Sequence, residues 1–156
     1  MDPRNVVVRK TATPTITAGA YAAGDAVGGL LTFSAVNGFT GKPIVIESAI
    51  ITDKGDQNAT LNLLLFDRTF TADADNAVFD PEDADLPNIV GLIVWAVADY
   101  GNWTDNCAGF KHNLNMAVLP NGTDLFGQLY IPTGGSTPTY ASTSDLSVIL
   151  TIRQLG

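Results

Sequence analysis

Histidine and cysteine are nearly absent from the sequence. His112 is the single histidine, so the chain cannot build a metal centre from several imidazoles. Cys107 is the single cysteine, which excludes a disulfide within the chain and leaves the redox compartment undetermined. No serine stands in a G-x-S-x-G motif, and no nucleophile motif surrounds Cys107. We therefore predict that the chain is not an enzyme, and we interpret His112 as a surface residue.

Basic residues and long apolar runs are also scarce. Eight Lys and Arg stand against 16 Asp and Glu, which gives a net charge of −8, whereas binding to nucleic acid or to an anionic membrane needs clustered basic side chains. The strongest apolar stretch, residues 89 to 98, is well short of the roughly 20 residues of a membrane-spanning helix. The apolar run at residues 6 to 8 is too short for the core of a signal peptide. These absences predict a soluble protein with no export signal and with neither nucleic acid nor membrane as a partner.

The chain has enough apolar residues for one sizeable core. Hydrophobic residues make up 46% of the 156 residues and charged residues 15%, which is the composition of a folded domain rather than of a disordered chain. A single hydrophobic core serves chains of about 100 to 200 residues. We predict one domain at residues 18 to 156, preceded by residues 1 to 17 as an N-terminal arm or a first strand.

Strand patterns dominate the sequence. In residues 145 to 154 apolar side chains alternate with polar ones, as in a strand with one dry face. The same period of two in residues 43 to 53 predicts that Ile44, Ile46 and Ile50 share one face.

Two further elements are predicted from local signals. Residues 113 to 118 and 125 to 131 alternate on either side of the turn-forming residues 120 to 122, which predicts a hairpin. Residues 80 to 86 have the acidic first turn of a short helix that Pro87 would end.

Two segments, residues 61 to 67 and 89 to 96, are apolar on both faces. Such strands are covered on both sides by the fold or by a neighbouring subunit, so they indicate an interface. About eight strands with little helix predict an all-β fold. We expect a two-sheet antiparallel β-sandwich, for which a jelly roll is one arrangement.

The densest acidic segment spans residues 73 to 85. Hard cations such as Ca²⁺ bind several carboxylate oxygens. The spacing departs from an EF-hand loop, however, because Ala77 stands where the third ligand belongs and the following Gly is missing. We interpret the segment as a solvated loop and predict no metal and no cofactor. Its acidic residues are Asp73, Asp75, Asp80, Glu82, Asp83 and Asp85.

Aromatic residues cluster farther along the chain. Trp95, Tyr100 and Trp103 lie close in sequence to Asp99 and Asp105, a mixture that can stack on a sugar and hydrogen-bond to it. Such rings also fill cores and subunit contacts. A carbohydrate-binding β-sandwich is therefore the alternative function from a different class, and burial of these rings would count against it.

Five segments along most of the chain have patterns typical of a structural framework rather than of a catalytic site. They are YAAGDAVGGLLTF (residues 21 to 33), IESAIITDKGDQNATLNLLLFD (46 to 67) and DADLPNIVGLIVWA (83 to 96), continued by GTDLFGQLYI and TPTYASTSDLSVILTI. Together they resemble small structural proteins of tailed bacteriophages. None of these segments is a catalytic signature, so no functional residue is carried over.

The resemblance implies a virion component. Its most direct form is a decoration or cement protein on the outer surface of the capsid, bound to the major capsid protein and to copies of itself, with a trimer as the implied oligomer. A tail-associated or head-fibre role is the alternative within the same resemblance. A cement protein needs rigidity, solubility and self-complementary surfaces but no cofactor, which agrees with the composition.

Basic charge is concentrated at the N-terminus. Three basic residues against Asp2 leave residues 1 to 10 with a net charge of +2, so the rest of the chain carries −10. A basic segment with β-prone valines can steer toward an acidic patch and pair with an exposed strand edge. An ordinary first strand of the protein's own sheet is the other interpretation. The predicted partner-binding residues are Arg4, Val6, Val7, Val8, Arg9 and Lys10.

Overall fold

Strands account for nearly all regular structure in the computed structural model, which describes residues 5 to 156. No helix in that range is long and apolar enough to cross a membrane. Two short 3-10 turns span Leu86–Asn88 and Val97–Asp99. The strands are β1 (Val6–Ala12), β2 (Ala26–Phe33), β3 (Ile44–Asp53), β4 (Leu61–Phe66), β5 (Ile89–Trp95), β6 (Tyr100–Asn102), β7 (Cys107–Lys111), β8 (Met116–Val118), β9 (Leu125–Tyr130) and β10 (Leu146–Gln154).

The strands form two antiparallel sheets that enclose one core. The six-stranded sheet has the order β1-β10-β3-β7-β6, with β8 also pairing with β3, and the four-stranded sheet has the order β2-β9-β4-β5. From β1 to β4 the chain changes sheet at every connection. The facing sets β1-β10-β3-β7 and β2-β9-β4-β5 are the arrangement of a jelly roll. The predicted two-sheet sandwich is thus confirmed.

Alternation along the strands places one apolar face of each sheet in the core. In β10 the four apolar residues predicted to face inward, from Leu146 to Ile152, are fully buried. On the opposite sheet, Leu63 of β4 and Trp95 of β5 are buried in the same cluster. Burial of apolar surface at about 25 cal/mol per Å² is the main term that stabilises such a fold.

A bulge in β3 changes which residues face inward. Thr151 of β10 pairs with Ser48 while the next residue pairs with Ile46, so Glu47 is an extra residue in the ladder. An extra residue inverts the alternation beyond it. The prediction for Ile50 is therefore wrong, because Ile50 lies on the outer face.

The predicted hairpin and the predicted helix are also wrong. Strand β8 pairs with β3, whereas β9 pairs with β2 and β4, so residues 119 to 124 cross between the sheets. Residues 80 to 82 have no regular structure and residues 83 to 85 form a turn, and the 3-10 turn that follows contains Pro87 near its start instead of ending there. Proline fits the first turn of a helical segment because no intrahelical partner is needed for its missing N–H.

The loop of residues 67 to 88, here called the β4–β5 loop, lies across the outer face of the four-stranded sheet. The ring of Phe70 stacks on Phe66 of β4 with 3.9 Å between centroids, and Phe79 stacks on Tyr130 of β9 at 4.2 Å. The Asp73 N–H donates to Gln128 Oε1 of β9 at 3.1 Å. This covering explains why β4 is apolar on both faces.

Candidate interaction surfaces

The N-terminal residues from Val6 onward belong to the protein's own sheet. Strand β1 pairs with β10 residue for residue, from Val6 opposite Gln154 to Ala12 opposite Val148. The first-strand interpretation therefore holds for β1, while Arg4 lies outside the described residues. The role of Val6, Val7, Val8, Arg9 and Lys10 in binding a partner stays a prediction.

Strand β1 has an open edge on the side away from β10. It ends the six-stranded sheet, and within residues 5 to 156 no other strand or loop backbone bonds to it. Val6 is 47% exposed and Val7 is 62% exposed. Arg9 and Lys10 add charge to this edge, which disfavours pairing with the same edge of a second copy.

Strand β5 has a second open edge, on the four-stranded sheet. Its backbone bonds to β4 on one side and, among the described residues, to nothing on the other. Its sequence, IVGLIVW, contains no charge and no proline. The outward side chains of Leu92 and Val94 are about half exposed, and so are Leu86 before the strand and Val97 after it. An uncharged, apolar edge of this kind favours pairing with another chain.

The other two strands at the ends of the sheets, β2 and β6, offer less open backbone for pairing. The β4–β5 loop bonds the first residue of β2, where the Ala26 N–H donates to the Ala77 carbonyl at 2.7 Å and the Asn76 N–H to the Ala26 carbonyl at 2.9 Å. Strand β6 is only three residues long. Among the described residues, the edges of β1 and β5 are therefore the two seven-residue edges that are open along their whole length.

Carboxylates of the acidic segment hold the β4–β5 loop in place. Asp75 accepts hydrogen bonds from Thr17 Oγ1 and Tyr21 Oη, both at 2.6 Å, and from the Gly28 N–H. Burial of Tyr21 and its bond to Asp75 raise the pKa of that phenol. Asp80, Glu82 and Asp83 are exposed at the turn that leads into β5.

We expect no metal requirement from this segment. In the described part of the chain, no three His, Cys, Asp or Glu side chains are placed to hold a metal ion, and Asp75 is occupied by protein donors. Treatment with a chelator should leave the melting temperature unchanged in a thermal unfolding experiment. A fall of many degrees that calcium reverses would contradict this prediction.

The three aromatic residues singled out in the sequence do not form one surface. Trp95 is fully buried, Tyr100 is partly buried and donates from its hydroxyl to the Ala59 carbonyl at 2.7 Å, and Trp103 is 58% exposed. Burial raises the pKa of Tyr100. A sugar platform built from all three rings is therefore excluded by the geometry, which counts against the carbohydrate-binding alternative.

Trp103 instead borders a groove on the outer face of the six-stranded sheet. The groove has a volume of about 360 Å³, and the side chains of Ile50, Phe110 and Ile149 form its apolar floor. Arg9 and Lys54 lie at its margin. Within residues 5 to 156, neither is within 4.0 Å of a carboxylate. We call this surface the outer-face groove. One feature of the sequence indicated the outer-face groove, since Ile149 is an apolar residue on the polar face of β10.

His112 and Cys107 do not form a catalytic pair. His112 is exposed, and its ring lies 6.1 Å from that of Phe110. Cys107 is buried, with Sγ 3.7 Å from Asp53 Oδ2. Burial, together with nearby carboxylates, raises the pKa of the Cys107 thiol to about 12. Burial also raises the pKa of Asp53, although the Gln57 and Gly55 N–H groups oppose that rise by donating to its carboxylate.

We expect the Cys107 thiol to be unreactive in the folded protein. With a pKa of about 12, about one thiol in 10,000 is ionised at pH 8, and the thiolate is the reactive form. Labelling with iodoacetamide at pH 8 should be negligible over a period that labels the urea-unfolded protein completely. Equal labelling rates in the two states would contradict the prediction.

Comparison with known proteins gives only distant likenesses. No protein-family model matches the chain, and no curated protein matches its sequence. Among solved structures, a chain of the capsid of Ralstonia phage GP4 is 13% identical with a TM-score of 0.41, covering 100% of this chain and 89% of that one. A chain of infectious bursal disease virus, Gx strain, is 14% identical with a TM-score of 0.25, covering 97% and 41%. At these scores neither likeness carries a conclusion about function.

Proposed function

We propose that the chain is a non-enzymatic virion structural protein. In its specific form it is a decoration or cement protein that binds the major capsid protein on the outer surface of a phage capsid and stabilises the shell. The sequence resemblance to small phage structural proteins supports this proposal. So does the jelly roll, a fold that many capsid domains and lectins use, although a fold alone does not assign a function.

The observation that carries the proposal is the number of uncovered apolar surfaces on a rigid body. Two open sheet edges and the outer-face groove leave Val7, Leu92, Val94 and Trp103 between 43% and 62% exposed. A small acidic protein gains nothing from such surfaces in isolation, whereas partners that cover them supply both binding energy and specificity.

The outer-face groove is the surface that we assign to the shell. Trp103 is the kind of large ring that dominates binding energy when a partner covers it. Lys54 at the margin would meet acidic groups of that partner. A protein that binds only the assembled shell stabilises it by mass action, by about 2.7 kcal/mol per site when its free concentration is 100 times Kd.

The proposal is tested on capsids assembled without the chain. We expect the purified protein to bind these particles to saturation, to raise their melting temperature and to be located on the outer shell by imaging. Trp103→Ala should weaken binding at least tenfold, whereas Phe39→Ala, at a ring that is 72% exposed elsewhere on the surface, should bind like wild type. Failure to bind shells, or a position on the tail or a head fibre, would overturn the decoration role.

A further inference from the structure

We propose that β5 of one copy pairs in antiparallel fashion with β1 of the next copy, so that the two open edges complete each other. The pairing concerns self-association in solution and goes beyond attachment to a shell. It identifies the partner of the N-terminal strand as a second copy of this chain.

The two edges lie on opposite sides of the sandwich. Strand β1 packs beside β2 at one side, and β5 packs beside β7 at the other. Each copy therefore presents two different edges, so their pairing is head-to-tail and leaves one edge of each kind open for further copies until a ring closes.

Charge determines the direction of the pairing. Asp80, Glu82 and Asp83 are exposed in the part of the β4–β5 loop that precedes the 3-10 turn before β5, whereas Arg9 and Lys10 lie toward the end of β1. In an antiparallel pair the end of one strand lies beside the start of the other, so the basic residues of β1 lie at the end of the interface where this acidic segment leads into β5. A parallel pair would leave both groups without partners of opposite charge.

Apolar contacts agree with the same direction. The start of β1 carries the exposed Val6 and Val7, and the antiparallel arrangement brings them beside Val94 and Val97 at the far end of β5. Seven residues at about 3.4 Å each make a shared edge about 24 Å long. The interface therefore combines backbone hydrogen bonds, an apolar half and a charged half.

Pairing of identical edges is less favourable. Two β1 strands in antiparallel pairing would bring Arg9 and Lys10 of both copies close together, and like charges opposite each other are destabilising. Two β5 strands would pair without charge conflict but would leave both β1 edges open, with Val7 still 62% exposed. The β1–β5 arrangement satisfies both edges and both charge groups.

The test is the mass in solution by light scattering at tens of micromolar protein. Wild type should give a mass above that of two chains of 16.4 kDa each, because a head-to-tail pair still has one open edge of each kind. Leu92→Lys with Val94→Lys should give the mass of one chain, because both side chains are exposed and the change charges the edge without touching the core. The control Leu119→Lys, at a residue that is 58% exposed and belongs to neither strand, should keep the wild-type mass.

Charge reversal identifies the partner strand. Arg9→Glu with Lys10→Glu, and separately Glu82→Lys with Asp83→Lys, should each raise the dissociation constant at least about tenfold, because each places like charges together. The chain with all four substitutions should regain association. A wild type of one or two chains, no effect of reversal in β1, or no recovery in the fourfold variant would overturn the pairing. A chain that self-associates through these edges but fails to bind shells keeps this inference and removes the decoration role.

Discussion

Replacing Trp95 with alanine is expected to lower the free energy of unfolding by about 3 to 5 kcal/mol. The side chain is fully buried at the end of β5, opposite Leu61 of β4. A Cβ built on Gly109 of the facing sheet would lie only 2.9 Å from its Cδ1 atom, so the ring fills the space between the sheets. Its removal leaves a cavity that close-packed neighbours fill only in part. Urea unfolding followed by circular dichroism measures the change.

Trp103→Ala is the matched control for this substitution. The ring of Trp103 is 58% exposed, and exposed positions usually change stability by no more than about 0.5 kcal/mol. The same residue type is therefore removed once from the core and once from the surface. Equal losses for the two variants would show that Trp95 does not support the packing between the sheets.

Gly28→Ala is expected to destabilise the protein by about 2 to 5 kcal/mol, from the sum of backbone strain and overpacking. Gly28 has φ +75°, a left-handed conformation that side chains disfavour, and an added Cβ would lie 2.5 Å from the Cβ of Pro14. The residue sits where β2 departs from its register with β9, and its carbonyl accepts from Gln128 Nε2 at 2.8 Å. Thermal unfolding of the purified variant tests the expectation.

The neighbouring Gly29→Ala is the control. Gly29 lies in the same strand, has no positive φ, and would place a Cβ in open space. Alanine there should change stability by less than about 1 kcal/mol, and it can be stabilising because it restricts the unfolded chain. A loss at Gly29 as large as the loss at Gly28 would contradict the assignment of strain to one position.

Regular alternation was enough to predict the architecture. Strand β10 follows a strict period of two over its buried residues, and its inward face was predicted correctly. The face of Ile50 was predicted wrongly, because the bulge at Glu47 inverts the alternation along β3. No residue type in the sequence indicates that bulge. The three-residue strand β6 was not predicted as a separate element, since so few residues show no period.

Apolar composition did not separate an interior strand from an edge strand. Residues 61 to 67 and 89 to 96 have the same two-sided apolar pattern, yet β4 lies beneath the β4–β5 loop while β5 is open. The difference arises from where Phe70 and Phe79 pack, which is a tertiary contact. Likewise, the sequence could not decide between arm and first strand for Val6 to Ala12, because the partner, β10, is distant in the chain.

The ladder between β1 and β10 has a consequence for the time course of folding. Val6 pairs with Gln154, so the two strands are separated by nearly the whole chain. Closing so long a segment costs entropy before any contact is made, and all-β topologies of this kind fold in milliseconds to seconds rather than microseconds. During synthesis β1 must also wait for β10 to leave the ribosome. Until then the apolar residues of β1 have no sheet to join, and this interval is when the chain is most exposed to aggregation.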